Sequence, residues 1–209
     1  MHTRYRLVSL LFIALFLTSV ASAQSGKLDV SYTVALSDAA SRQFHVTTDI
    51  KNIKQDRLDL ALPTWTPGWY VVENYGKNLL RFKVTDANGR WIQPRMTRKQ
   101  TWSINTKGLN QLRVEYDYSA TVLGLNQAKI GDDFAFFTGI ELFLEPLGHR
   151  NESSRLTFQL PSGWKLVTPL KSTSSPNTFE AANYDTLVDA PAMMGNFDVT
   201  EFSVEGKPH

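Results

Sequence analysis

The stretch Leu28-Asp29-Val30-Ser31-Tyr32-Thr33-Val34-Ala35-Leu36 alternates apolar and polar side chains. Successive side chains of a strand point to opposite faces. Leu28, Val30, Tyr32, Val34 and Leu36 therefore line one face, with Asp29, Ser31 and Thr33 on the other. A helix, with about 3.6 residues per turn, would scatter those apolar positions around its axis. The same period recurs outward. Phe44, Val46, Thr48 and Ile50 follow a polar turn at 38–42, and Leu58, Leu60 and Leu62 follow them. Leu80, Phe82 and Val84 form a further strand closed by Asp86-Ala87-Asn88-Gly89. Asn88-Gly89 is a hairpin signal because both residues tolerate positive φ. Trp91-Ile92 starts the return, which Pro94 stops. Trp102 and Ile104 come next, then Leu112, Val114, Tyr116 and Tyr118.

The second half continues the pattern. Runs at 134–137 and 140–144 are broken by Thr138-Gly139, and Leu156, Phe158 and Leu160 alternate. Trp164, Leu166 and Val167 follow, Phe179 opens a short strand, and a last strand is expected over 197–204. Residues 120–133 are the least patterned and read as a long excursion. The one helical candidate is 183–189, where Asn183 can cap a turn or two. The expectation is an all-β fold: an antiparallel β-sandwich or saddle-shaped sheet pair of about a dozen strands with at most one short helix.

Between the third and fourth strands lies Leu62-Pro63-Thr64-Trp65-Thr66-Pro67-Gly68-Trp69-Tyr70. Each proline fixes φ and lacks an N–H, so neither a helix interior nor a central strand fits. Thr66-Pro67-Gly68-Trp69 reads as a type II turn with glycine supplying positive φ. Such a stiff aromatic loop either locks two β layers together or presents a flat surface to a ligand. Trp65 is expected to be a structural anchor and Trp69 a surface contact; Trp102 and Trp164 read as core.

The chain opens with Arg4 and Arg6, an apolar run over 7–20 and Ala21-Ser22-Ala23, the pattern of a cleaved signal peptide. Residues 1–23 are then removed, and 24–209 form one domain that is periplasmic or secreted, with no membrane partner after cleavage. Arg4 and Arg6 account for the formal charge of +2, so the remainder is balanced and nucleic acid is not an expected partner. The 209 residues contain no cysteine, which excludes disulfides, thiolate metal sites and cysteine nucleophiles.

The four histidines are His2, His45, His149 and His209, and none has another histidine four residues away. The local pair that zinc peptidases place on one helix face is missing. No Gly-x-Ser-x-Gly elbow or glycine-rich phosphate loop occurs. Asp132-Asp133 and Glu141 with Glu145 are carboxylate pairs in name and are expected to be solvated. Arg90, Arg95, Arg98 and Lys99 make a mild basic face within 90–99.

Pro63-Thr64-Trp65-Thr66-Pro67-Gly68, then Tyr70 and Lys77-Asn78, resembles the signature of the N-terminal domain of the glycyl aminopeptidases, metallopeptidase family 61. Ser31-Tyr32-Thr33-Val34, Leu160-Pro161-Ser162-Gly163-Trp164, Tyr184-Asp185-Thr186-Leu187-Val188-Asp189-Ala190-Pro191 and Gly206-Lys207-Pro208-His209 are similar to other phrases of that domain, in the same order. Two positions depart from the pattern. Trp69 stands where the family usually has a small residue, and Glu73 where it often has a basic one.

The resemblance implies a non-catalytic accessory domain of a secreted zinc aminopeptidase, with its zinc in a catalytic domain absent from this chain. No activity, catalytic residue or metal ligand is expected here. The expected partners are that metallopeptidase domain and the peptide substrate. Trp65, Trp69, Tyr70, Thr138, Gly139 and Glu141 are the expected substrate or interdomain contacts, with Glu141 placed to pair with a substrate ammonium. The other reading is a stand-alone secreted module that grips peptide or glycan through exposed aromatics.

Overall fold

A computed structural model describes residues 26–208 apart from 37, 67 and 125; the signal peptide expected at 1–23 lies outside the described residues. The strands are β1 (Asp29–Ala35), β2 (Gln43–Lys51), β3 (Arg57–Ala61), β4 (Leu79–Asp86), β5 (Arg95–Arg98) and β6 (Thr101–Asn105). Next come β7 (Gln111–Ser119), β8 (Thr121–Gly124), β9 (Gln127–Ile130), β10 (Phe134–Thr138), β11 (Glu145–Pro146) and β12 (Ser154–Gln159). The last are β13 (Lys165–Val167), β14 (Lys171–Ser172), β15 (Thr178–Ala181), β16 (Pro191–Gly195), β17 (Ser203–Val204) and β18 (Lys207–Pro208). Two small helices, α1 (Gly139–Leu142) and α2 (Tyr184–Asp189), interrupt the β structure. The fold is all-β, as the alternation implies.

A seven-stranded sheet runs β14-β15-β12-β1-β2-β7-β4, a five-stranded sheet β13-β16-β10-β9-β8, and a four-stranded sheet β11-β3-β6-β5. The opening stretch lies at the centre of the largest sheet. Val30, Tyr32 and Val34 are opposite Ile50, Thr48 and Val46 of β2. Those in turn are opposite Leu112, Val114 and Tyr116 of β7. One face of the sheet is thus a continuous apolar surface, and all of these residues are buried. Phe44 of β2 meets Phe137 of β10 edge to face, with centroids 5.3 Å apart. Phe82 of β4 stacks on Trp102 of β6 at 4.8 Å. Through these contacts the large sheet covers both smaller ones.

Four features differ from the sequence reading. β1 pairs with β12 in parallel, Tyr32 opposite Leu156, within an otherwise antiparallel sheet. Residues 120–133 carry the hairpin of β8 and β9 rather than an excursion. Its outer strand is exposed at Thr121, Val122 and Leu123, so no buried face imposes alternation. Only Ser203–Val204 of the expected 197–204 strand is extended in a ladder. The apolar run at 140–144 begins as α1, where a strand pairing would be expected, giving two short helices instead of one.

The ring of Phe137 contacts Phe44, Phe143 and Phe158. Phe137→Ala is expected to lower unfolding free energy by about 3–5 kcal/mol, as for other buried aromatics. Urea denaturation of the two proteins checks this.

Candidate functional site

The proline-rich loop is held from below by one buried side chain. Gln100 is 2% exposed and sits at φ +61° after β5. Its Nε2–H group donates to the carbonyls of Glu73 (3.2 Å) and Pro63 (3.5 Å). Its Oε1 accepts from the Gly76 N–H, and its own carbonyl accepts from Leu62 N–H at 3.0 Å. One amide thus fixes both ends of 62–76, and Glu73 N–H closes the loop onto Thr64 O at 2.8 Å. At the tip, Gly68 takes φ +84° and Trp69 N–H donates to Thr66 O at 3.1 Å. Both agree with the expected tight turn; its remaining member, Pro67, lies outside the described residues.

The two loop tryptophans have exchanged their expected places. Trp65 is 49% exposed and is no core anchor. Trp69 is half-buried, and its indole N–H donates to Glu73 Oε1 at 2.9 Å. The two residues that depart from the resemblance pattern are therefore bonded to each other. Tyr70 is 89% exposed, and Val71 and Val72 beside it are exposed as well.

The second predicted segment folds into α1. Thr138 is its N-cap residue and half-buried. Gly139 is buried against α2: a Cβ there would lie 2.4 Å from the Leu187 carbonyl oxygen, so only glycine permits this approach. Gly139 N–H also donates to Ala190 O at 3.2 Å. Its role is to dock α1 on α2, and it presents no free surface. Glu141 is the main correction. Expected to be solvated, it is 0% exposed, and neither carboxyl oxygen makes a well-formed hydrogen bond. The Thr138 backbone N–H, one helical turn back, favours its anion through a weaker contact. Burial outweighs that help, and the nearby Glu73 charge adds to it, so the carboxyl is pushed up from an ordinary 4.5 to about 9. Thr138-x-x-Glu141 has capping-box spacing, which is the sequence signal that could have revealed a helix start here.

Two further residues belong to the site and were missed. The hydroxyl of Tyr75 is buried without a hydrogen-bond partner among the described residues. The Tyr118 hydroxyl accepts from Asn78 Nδ2 at 3.1 Å. Burial raises both phenols above their usual range, and the charges of Glu73 and Glu141 raise them further. The structure thus brings together the ends of two segments far apart in sequence: Trp69, Glu73 and Tyr75 from the loop, and Glu141 from α1. Neither tyrosine belongs to a motif; only its partners make it notable.

Two clefts flank this cluster. One of about 190 Å³ is lined by Glu73, Tyr75, Lys77 and Asn78, with β8 and β9 on its other wall. The other, about 420 Å³, lies between Trp65 and α2 and includes Ile140, Arg150 and Asp185. Larger clefts exist at Leu28–Val30 and at Asp49–Lys51, away from both predicted segments. Among the described residues no group of three or more His, Cys, Asp or Glu side chains is arranged to hold a metal ion. His45 pairs with Asp117 at 2.9 Å and His149 with Glu152 at 2.8 Å, so both imidazoles are engaged in structural contacts. No helix among the described residues is long and apolar enough to cross a membrane.

Comparison with known proteins gives a consistent picture. The family described as the peptidase M61 N-terminal domain matches residues 31–196. An aminopeptidase N family protein from Idiomarina loihiensis superposes with TM-score 0.79 at 24% identity, over 86% of this chain and 31% of that one. An M1 zinc metallopeptidase from Deinococcus radiodurans, solved with a Tyr-Ser-Ala substrate, gives TM-score 0.46 at 12% identity over 88% and 46%. Yeast LTA4 hydrolase bound to bestatin gives 0.46 at 14% over 86% and 30%. The chain thus spans less than half the length of these solved structures. No curated protein matches it.

The buried carboxyl makes a signed prediction. The folded state holds a proton on Glu141 between about 4.5 and about 9 that the unfolded state has released. Its contribution to stability therefore falls as pH rises across that window and is fully adverse above it. Glu141→Gln is expected to flatten the decline, measured as unfolding free energy in urea at pH 5, 7 and 9.

Proposed function

Because the chain belongs to the family of peptidase M61 N-terminal domains, we propose that it is the accessory domain of an exported zinc aminopeptidase. It packs on the catalytic domain and borders the cleft that receives the substrate's amino terminus. The observation that carries this reading is Glu141, a carboxyl with no exposure and no well-formed hydrogen bond. An anion cannot remain so placed without a counter-charge. A peptide's terminal ammonium supplies that charge and three donors, and charge-assisted bonds in a dry site are strong. The catalytic metal and its chemistry belong to the following domain, and this chain's part is to bind and orient. The Idiomarina loihiensis structure that shares the fold is matched over only 31% of its length, which supports a further domain.

Exposed apolar groups provide the packing surface. Tyr70, Val71 and Val72 are adjacent in the loop and 89%, 50% and 76% exposed. Contiguous apolar exposure of this kind marks a surface made to be covered. Trp65 extends it towards the cleft beside α2.

The test is kinetic. In a protein carrying both domains, Glu141→Gln is expected to lower kcat/KM on peptides with a free amino terminus by roughly 10- to 100-fold, the worth of one charge-assisted bond. Unchanged kinetics would remove Glu141 from the binding site. Export is checked separately: amino-terminal sequencing of the mature protein should begin at Gln24.

A further inference from the structure

We propose that the cleft between Trp65 and α2 binds the side chain of an arginine in a peptide ligand. The site does not involve Glu141, so the kinetic test above can fail without touching it. Asp185 and Asp189 of α2 are four residues apart, and both are exposed. That spacing sets the two carboxylates on one face of the helix, while Tyr184, Leu187 and Val188 are buried. Like charges so placed repel, and a cation beside them relieves the repulsion. Arg150 does this for Asp185. Its Nε and Nη2 donate to Asp185 Oδ1 at 3.0 and 2.7 Å. Its Nη1 is spent on Glu145 Oε2 at 2.7 Å, and its Cζ lies 5.3 Å from the centre of the Tyr184 ring.

Asp189 forms no ion pair among the described residues, and Arg150 is the one basic side chain among those lining the cleft. Glu145, Asp185 and Asp189 thus stand as three carboxylates against one guanidinium, and a second cation is favoured. The rest of the cleft suits a long side chain with a flat cationic head. Its volume is about 420 Å³, and Ile140 of α1 and Val188 of α2, 3% and 5% exposed, give it an apolar floor. Gly139 brings these two together, since a Cβ there would lie 2.8 Å from Val188 Cα. Trp65, 49% exposed, is the aromatic wall. Its place is fixed by the neighbouring Thr64 carbonyl, which accepts from Glu73 N–H at 2.8 Å. A guanidinium lies over an aromatic face while its N–H groups reach a carboxylate, as Arg150 lies over Tyr184 and bonds Asp185. Trp65 and Asp189 offer the same two kinds of partner on one cleft. The methylene stem covers Ile140 and Val188. A lysine ammonium is more compact and more strongly hydrated, and gains less from the indole.

The test titrates the full chain with acetyl-argininamide, acetyl-lysinamide and acetyl-norleucinamide, whose blocked ends leave the side chain as the only difference. The Trp65 indole and the Asp189 amide are followed by NMR. Acetyl-argininamide is expected to bind about tenfold more tightly than acetyl-norleucinamide, with acetyl-lysinamide between them. The margin should shrink with added salt. Asp189→Asn should remove most of it and leave acetyl-norleucinamide unchanged. Trp65→Leu should weaken acetyl-argininamide, and Trp65→Tyr, which keeps an aromatic face, should restore much of the loss. Equal binding of acetyl-argininamide and either of the other two overturns the proposal. So does a margin that survives Asp189→Asn, or a set of shifts that falls on another cleft. Each of these results leaves the Glu141 reading standing.

Discussion

Three tyrosine hydroxyls bond three consecutive carbonyls, and the site depends on them. Tyr116 of β7 donates to Leu142 O, Tyr184 of α2 to Phe143 O at 2.7 Å, and Tyr32 of β1 to Leu144 O at 2.8 Å. Leu142, Phe143 and Leu144 are all 0% exposed. After α1 ends, these carbonyls would face apolar surroundings with no ladder to join, and an unmet buried carbonyl costs about 1–3 kcal/mol. The hydroxyls meet that requirement from three different elements. They therefore fix where α1 stops, and with it where the Glu141 carboxyl lies relative to the sheet.

Gln100 plays the matching part on the other side. α1 is held by hydroxyls and the proline-rich loop by a single amide, and the cluster lies where the two held segments meet. Neither brace touches a ligand under the proposed function. Both explain how irregular backbone can present fixed side chains: the carbonyls at the end of α1 and both ends of the loop have partners, whereas the Glu141 carboxyl and the Tyr75 hydroxyl are among the buried groups without a hydrogen bond among the described residues.

The sheets were legible in the sequence because burial on one face forces a period of two. Val30, Tyr32 and Val34 show it, as do Leu112, Val114 and Tyr116. The same logic failed where no face is buried, as at Thr121–Leu123, and where a tertiary contact overrides the pattern, as at Ile140, whose helix exists because Gly139 can dock on α2. β16 was missed because it opens on Pro191, a residue that reads as a break yet is tolerated at the first position of a strand. Of the site, the two segments were identifiable from motif and turn chemistry. Their meeting was not, since Trp69–Glu73 is local whereas Glu73–Glu141 spans the fold. The reversed roles of Trp65 and Trp69 have the same origin: exposure on a loop is set by what lies beneath it, and here that is Gln100.

The parallel pairing of β1 with β12 bears on how the molecule is made. Tyr32 finds Leu156 only after about two thirds of the domain lies between them. Closing so long a loop costs entropy before any ladder bond repays it, which slows folding of such topologies. The centre of the largest sheet therefore stays open on one side until late in synthesis. Until Ser154–Gln159 has been made, that edge of β1 offers unpaired backbone groups to any other strand, so the interval before β12 emerges is the one in which this domain is most open to mispairing.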